Sequence, residues 1–380
     1  MSHAALMPRL CLFSALWSVS LAAQASEALP EIPAGTRIAV GRGPADMIFS
    51  ADGKNLYVTE NDDNTVAIID VPGAHVLRRI GDSSQPPAAE DGCMDNFCRG
   101  KGATGVAVDR DQHRAYVSSW EINALTAFDL RNGQVLWSTA LQRFPQTVLL
   151  TPDGTQAWTF NLVANSISVV NAATGAALGE VIALEGGDAR YLPFGRPLAF
   201  AMAPDGRHVY AGSVHSNSID VFDVAKRSRR ARIDSGEAPH DLAVDAVTGN
   251  VVALFSDGVV EYDRQKLAPL RAYRFCGEMT TWNIALSTDG RSMALTFPKQ
   301  AIATVVERNT GLLTHVFHTD DWPSKAAFSP DSHRLAVLNA GKTPSVSLLD
   351  VHAGMALEPL RSRISELFCQ PGTEDTQWMR

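Results

Sequence analysis

Between Ser50 and Val71 short apolar runs alternate with polar turns: Ser-Ala-Asp-Gly-Lys-Asn, then Leu-Tyr-Val-Thr, then Glu-Asn-Asp-Asp-Asn, then Thr-Val-Ala-Ile-Ile-Asp-Val. The pattern predicts a tight turn at Asp52-Gly53, a strand over 56–59, a polar loop over 60–64 and a second strand over 65–71. Glycine supplies the backbone angle a tight hairpin needs, and β-branched and aromatic residues suit a pleated, half-buried surface. Two such strands alone cannot bury enough apolar area to be stable. The unit therefore needs neighbours, and the chain supplies them by repetition.

Six further copies follow, with turns at Asp111, Thr151-Pro-Asp-Gly154, Ala203-Pro-Asp-Gly206, Asp245 to Gly249, Ser287-Thr-Asp-Gly290 and Ser329-Pro-Asp-Ser332. The turn aspartates Asp111 and Asp153 are 42 residues apart, as are Asp289 and Asp331, while Asp153 and Asp205 are 52 apart. A period near 42 residues with about four strands per copy is that of a β-propeller blade. The fifth copy is worn, lacking both the Asp-Gly turn and the Tyr-Val strand. Before each turn a short apolar segment, such as 46–49, is predicted as the innermost strand. After each hairpin an outer strand is predicted, as at 75–80, 135–141 and 313–317. Only six outer strands follow their units, so residues 36–40 are expected to supply the seventh and remove the exposed edge. The expectation is an all-β fold, a seven-bladed β-propeller of four-stranded blades closed by an N-terminal strand.

The pattern Pro-Asp-Gly-x-x-x-Tyr-Val-x, followed by Asn-x-Val-x-Val-x-Asp, resembles the YVTN family of seven-bladed propellers, the YncE-like exported proteins, over about residues 36–351. These shared residues build turns and strands, so the resemblance is specific for fold and says little about chemistry. The layout expected is a signal peptide at 1–25, a leader at 26–35, the propeller at 36–351 and a tail at 352–380 packed on it. In that tail Ile364, Leu367 and Phe368 show one helical pattern.

The targeting segment is read from Arg9, the apolar run 10–22 and Ala23-Gln24-Ala25 before Ser26, which has the small-x-small form of a cleavage site. It places the protein in the periplasm or outside the cell, with no membrane span once the signal is cleaved. In an oxidising compartment Cys93, Cys98, Cys276 and Cys369 are expected as disulfides rather than metal ligands. Cys93 with Cys98 is the first pairing considered, with Cys276 and Cys369 the remainder; the other two connectivities stay open. The formal net charge of −8 offers no general attraction to nucleic acid.

Propeller geometry gathers certain loops at one mouth of a central channel. Aligning the repeats on their turns places Asp46, Gly105, Thr147, Ala199, Asp241, Asn283 and Lys325 in one ring, preceded by Ala45, Thr104, Gln146, Leu198, His240, Trp282 and Ser324. A pure scaffold needs only small or neutral residues there. The middle loops add Trp120, Glu121, His215, Lys299 and Lys342, and two long connections, 81–102 and 183–196, end near the same face and bring in Arg196. His240 beside Asp241 suggests a base or axial ligand with a neighbouring carboxylate, or a residue lining a wet channel. Asp46 with Lys325 reads as an acid–base pair or as an ion pair joining blades one and seven. The basic run 226–232 reads as a solvated edge or a patch for an acidic partner.

Motifs for nucleotide binding, zinc proteolysis and serine hydrolysis are missing from the sequence. The function expected is therefore a binding or scaffold module for a periplasmic protein partner or small ligand, a monomer or a subunit of a complex, with no catalytic motif of its own. The alternative, by analogy with similar propellers, is a subunit of a periplasmic redox system, quinoprotein amine dehydrogenase-like or haem d1-related. Only there would a haem or quinone cofactor enter. A lactonase-type hydrolase is the third possibility.

Overall fold

A computed structural model of the chain describes residues 35–81, 102–120, 122–185, 199–213, 216–275 and 281–351. The signal segment, the leader up to residue 34, all the cysteines, most of both long connections and the tail lie outside the described residues, as do Glu121, Arg196 and His215.

Each repeat folds into one four-stranded antiparallel sheet, and there are seven. In blade 1 the strands are Pro44–Phe49, Asn55–Glu60, Thr65–Asp70 and His75–Gly81, in sequence order from the channel outward. The predicted hairpin is present, with Leu56 opposite Ile69 and Val58 opposite Ala67. Its polar loop is a single 3₁₀ turn, Asn61–Asp63, closed by Asn64 in the left-handed region at φ 52°. Blade 7 consists of Pro323–Phe328, Arg334–Asn339 and Ser345–Asp350, and its fourth strand is Thr36–Ala39, from the start of the propeller. Ile38 faces Val346 across that pairing. The ring is thus closed as the sequence predicts.

Adjacent blades share their cores, because each sheet has two apolar faces and no blade can cover both alone. One cluster unites Met47, Phe49, Leu56 and Ile69 of blade 1 with Leu338, Val346 and Ile38 of blade 7. A second joins blades 1 and 2 through Tyr57, Val66 and Val117. Five others fill the remaining interfaces, so the described core is a belt of seven.

The turns show why the repeat carries its residues. Ser50, Thr151, Ser287 and Ser329 each donate a hydroxyl to the aspartate two positions on, at 2.5–2.7 Å. In the worn blade 5, Asp245 stands at the serine position instead and accepts the Val247 N–H at 2.8 Å. It also pairs with Arg308 of blade 6 at 2.7 Å, and Glu261 takes the second arm of that guanidinium at 3.1 Å. All three side chains are buried. Blade 5 therefore trades the local turn signature for a buried ionic tie to its neighbour.

Candidate functional site

The innermost strands are sheet edges, with N–H groups that have no strand beside them. Ring side chains bind several of these across the blade junctions. Asp46 accepts the Val106 N–H of blade 2 at 3.0 Å, Asp241 accepts the Ile284 N–H of blade 6 at 3.0 Å, and Asn283 accepts the Ala326 N–H of blade 7 at 2.7 Å. In each case the donor sits one residue beyond the next blade's ring position. Asn283 also donates to Asp241 at 2.5 Å. Lys325 closes the gap between blades 7 and 1 by an ion pair with Asp46. At Gly105 there is no room for a side chain: a Cβ would lie 2.0 Å from the Gln146 carbonyl oxygen. There the Gly105 N–H reaches Ser118 Oγ, which donates in turn to Gln146 O at 2.6 Å. A chain of side-chain bonds so links blades 5, 6, 7, 1, 2 and 3, and part of the ring's polarity is structural.

Above this belt opens a cavity of about 540 Å³. Asp46, Asp241, Asn283, Lys325, Gln146 and Thr147 lie in its lining, with Trp120, Trp282, Trp322 and Asp62 around them. Asp241 is 7% exposed, and burial pushes its carboxyl up to about 6, against the opposing effects of the Ile284 N–H, Lys325, the Leu242 N–H and Asn283. For Lys325, burial favours the neutral amine. The charge of Asp46, the hydrogen bond it accepts from Lys325, and the charge of Asp241 outweigh burial and hold the ammonium above its ordinary value. The Lys325 side chain is 32% exposed.

Sequence-predicted residues divide in three. Asp46, Asp241, Trp282, Asn283, Lys325 and Trp120 all line the cavity. His240 precedes the strand Asp241–Val244, is half-buried, donates its backbone N–H to Leu254 O at 2.7 Å, and is not part of that lining. Glu121, His215 and Arg196 fall outside the described residues, as do the two candidate disulfides. Lys299 and Lys342 are exposed and not part of the lining. In the basic run, Arg229 and Arg232 pair with Glu185, and Arg232 also holds the buried Asp220 at 2.8 Å.

Sequence alignment overlooked Trp322. It packs edge-on against Trp282, ring centroids 5.9 Å apart, and is still 42% exposed. Its φ is +60°, a left-handed value that costs a bulky residue on the order of 1 kcal/mol or more. The equivalent residue before the proline of the inner strand is Gly43 in blade 1 and Phe144 in blade 3, at φ +61° and +59°. Phe144 packs on Trp120 at 5.4 Å. The available signal was the recurring proline at 44, 145 and 323, with an aromatic residue before it twice.

Among the described residues no group of three or more His, Cys, Asp or Glu side chains is arranged to hold a metal ion, and no helix is long and apolar enough to cross a membrane.

A family model described as "Lactonase, 7-bladed beta-propeller" matches residues 17–181. No curated protein matches. Among solved structures the chain is similar to Kuenenia stuttgartiensis hydrazine synthase, at 15% identity and TM-score 0.65, covering 85% of this chain and 98% of that one. It is similar also to the β-propeller domain of Myceliophteria thermophila Cps50 (Swd1), at 14% identity and TM-score 0.66, covering 83% and 99%. At such identities the likeness is one of fold: a seven-bladed propeller.

Proposed function

We propose that this chain is an exported propeller of the YVTN, YncE-like kind that binds a ligand or periplasmic partner at its channel mouth. Residues 1–25 serve as a cleaved signal, and the cysteines form disulfides in the oxidising compartment. The observation that carries the reading is the cavity of about 540 Å³ whose lining sets polar side chains fixed by inter-blade bonds beside three tryptophans. Its size falls in the range of roughly 300–1,000 Å³ usual for small-molecule sites. Asp46, Asp241, Asn283 and Lys325 are engaged in holding blades together, which suits recognition better than turnover. Purification from the native periplasm, followed by mass and visible spectroscopy, is expected to reveal a bound species that the double variant Asp241→Asn, Trp282→Ala fails to retain. Identical retention by parent and variant would sink the assignment of this face. The same spectrum addresses the redox alternative, which predicts a visible band.

A second reading, hydrolysis of a lactone, is favoured by the family-model match over residues 17–181. Asp241, with its carboxyl near 6, is the group in the cavity poised to accept a proton at neutral pH. A lactone panel assayed with and without divalent metal tests it. Turnover abolished in Asp241→Asn supports hydrolysis, and no turnover on any member removes it.

A further inference from the structure

We propose that the channel-mouth cavity takes a small organic cation, an alkylated ammonium group seated between its tryptophans; this rests on the binding reading above. Three observations converge on that chemistry.

The first is charge. Among the described residues lining the cavity, Asp46, Asp62 and Asp241 are acidic and Lys325 alone is basic. Lys325 is ion-paired with Asp46 and also acts on Asp241, so one ammonium is set against three acidic side chains and Asp62 has no cation of the described lining beside it. An anionic ligand would meet that excess of like charge; a cation relieves it.

The second is the wall. Trp282 and Trp322 meet at one side of the mouth, and Trp120 backed by Phe144 stands nearly opposite around the seven-blade ring. Aromatic faces attract cations through their quadrupole, tryptophan most strongly, and cages of them recognise alkylated ammonium groups. Gln146, in the same lining, has a buried Oε1 with no hydrogen-bond partner in the protein, an acceptor available to an N–H or hydroxyl of the ligand.

The third is strain. At the left-handed position before the inner strand blade 1 has glycine, which fits without cost, and blade 3 has Phe144 packed on Trp120, whereas blade 7 puts Trp322 there and leaves much of it in solvent. Its packing on Trp282 alone is a modest return for a bulky residue held at positive φ. A strained, half-open tryptophan at a cavity rim is accounted for by a ligand that covers it.

The experiment is titration calorimetry of the mature protein with choline, with its neutral isostere 3,3-dimethylbutan-1-ol and with benzoate. Choline is expected to bind saturably, with the isostere at least tenfold weaker and benzoate undetectable. Trp322→Gly is expected to weaken choline at least tenfold without lowering the unfolding temperature, since it removes the strain together with the wall. Asp62→Asn is expected to weaken choline several-fold. An isostere as tight as choline shows that charge is not read and overturns the proposal, as does benzoate binding in place of choline. If choline does not bind, while the native bound species is still lost in Asp241→Asn, Trp282→Ala, the cation inference falls and the binding reading stands. If that double variant also retains the native species, both fall.

Discussion

Asp241 carries the residue-scale consequence that is most directly measurable. Its carboxyl lies near 6 in the folded protein, against about 3.9 for an unperturbed aspartate. Between those values the folded state holds more protons at Asp241 than the unfolded one, so the contribution of this group to stability is fully present below about pH 4 and declines as pH rises to about 6. Around it stand Lys325 and its partner Asp46, with His240 adjacent in sequence. The gap is of order 3 kcal/mol at most. Asp241→Asn should flatten that part of the stability profile, read from urea midpoints at pH 4, 5, 6 and 7; an unchanged slope would assign it to another group. At Lys325, replacement by Met leaves Asp46 buried without its cation. With Lys325 partly open to water the loss should be about 2 kcal/mol, between the values for exposed and buried pairs. The ring position itself was readable by aligning repeats, because each ring residue lies at a fixed offset from its turn. That Asp46, Asp241 and Asn283 bind the next blade's N–H was not, since the donors lie 43 to 60 residues away along the chain.

Among the elements, the strand Thr36–Ala39 has the largest reach, joining the start of the propeller to Ser345–Asp350. Ile38 is 4% exposed and sits in the cluster that unites blades 1 and 7. Ile38→Ala should cost about 2–4 kcal/mol by equilibrium denaturation, a core-sized penalty from a four-residue strand. A cost below about 0.5 kcal/mol would show the ring held shut without it. Strand periods and turn residues made nearly every blade legible in sequence, including the worn fifth. What stayed hidden there was the compensation: Asp245 and Arg308 are 63 residues apart and nothing local pairs them. The outer strand of blade 3 is only Ile182–Ala183, shorter than its counterparts, and it leads into a connection outside the described residues.

At the scale of the whole molecule, closure makes the blades interdependent. Each interface core is built from two blades, so losing one blade strips two interfaces of a partner. A chain that begins at residue 42 should therefore give aggregation or loss of the cooperative transition rather than a slightly weaker propeller, because it uncovers the edge of Ser345–Asp350. Size-exclusion chromatography and circular dichroism melting would show it; a monomer with the parent's melting profile would contradict it. The same closure brings together Trp120, Trp282, Trp322 and Asp62, which belong to four different repeats.

Sequence by itself determined the architecture: a hairpin pair repeated seven times, with turns and apolar periods that only a closed ring of sheets can satisfy. Periodicity is a local property, and local properties survive without knowing where the chain goes next. The tertiary structure alone decided which side chains share the channel mouth, which of them are tied up between blades, and that a tryptophan is held at a left-handed backbone angle above them. Those depend on distances between residues far apart in the chain, which no period encodes.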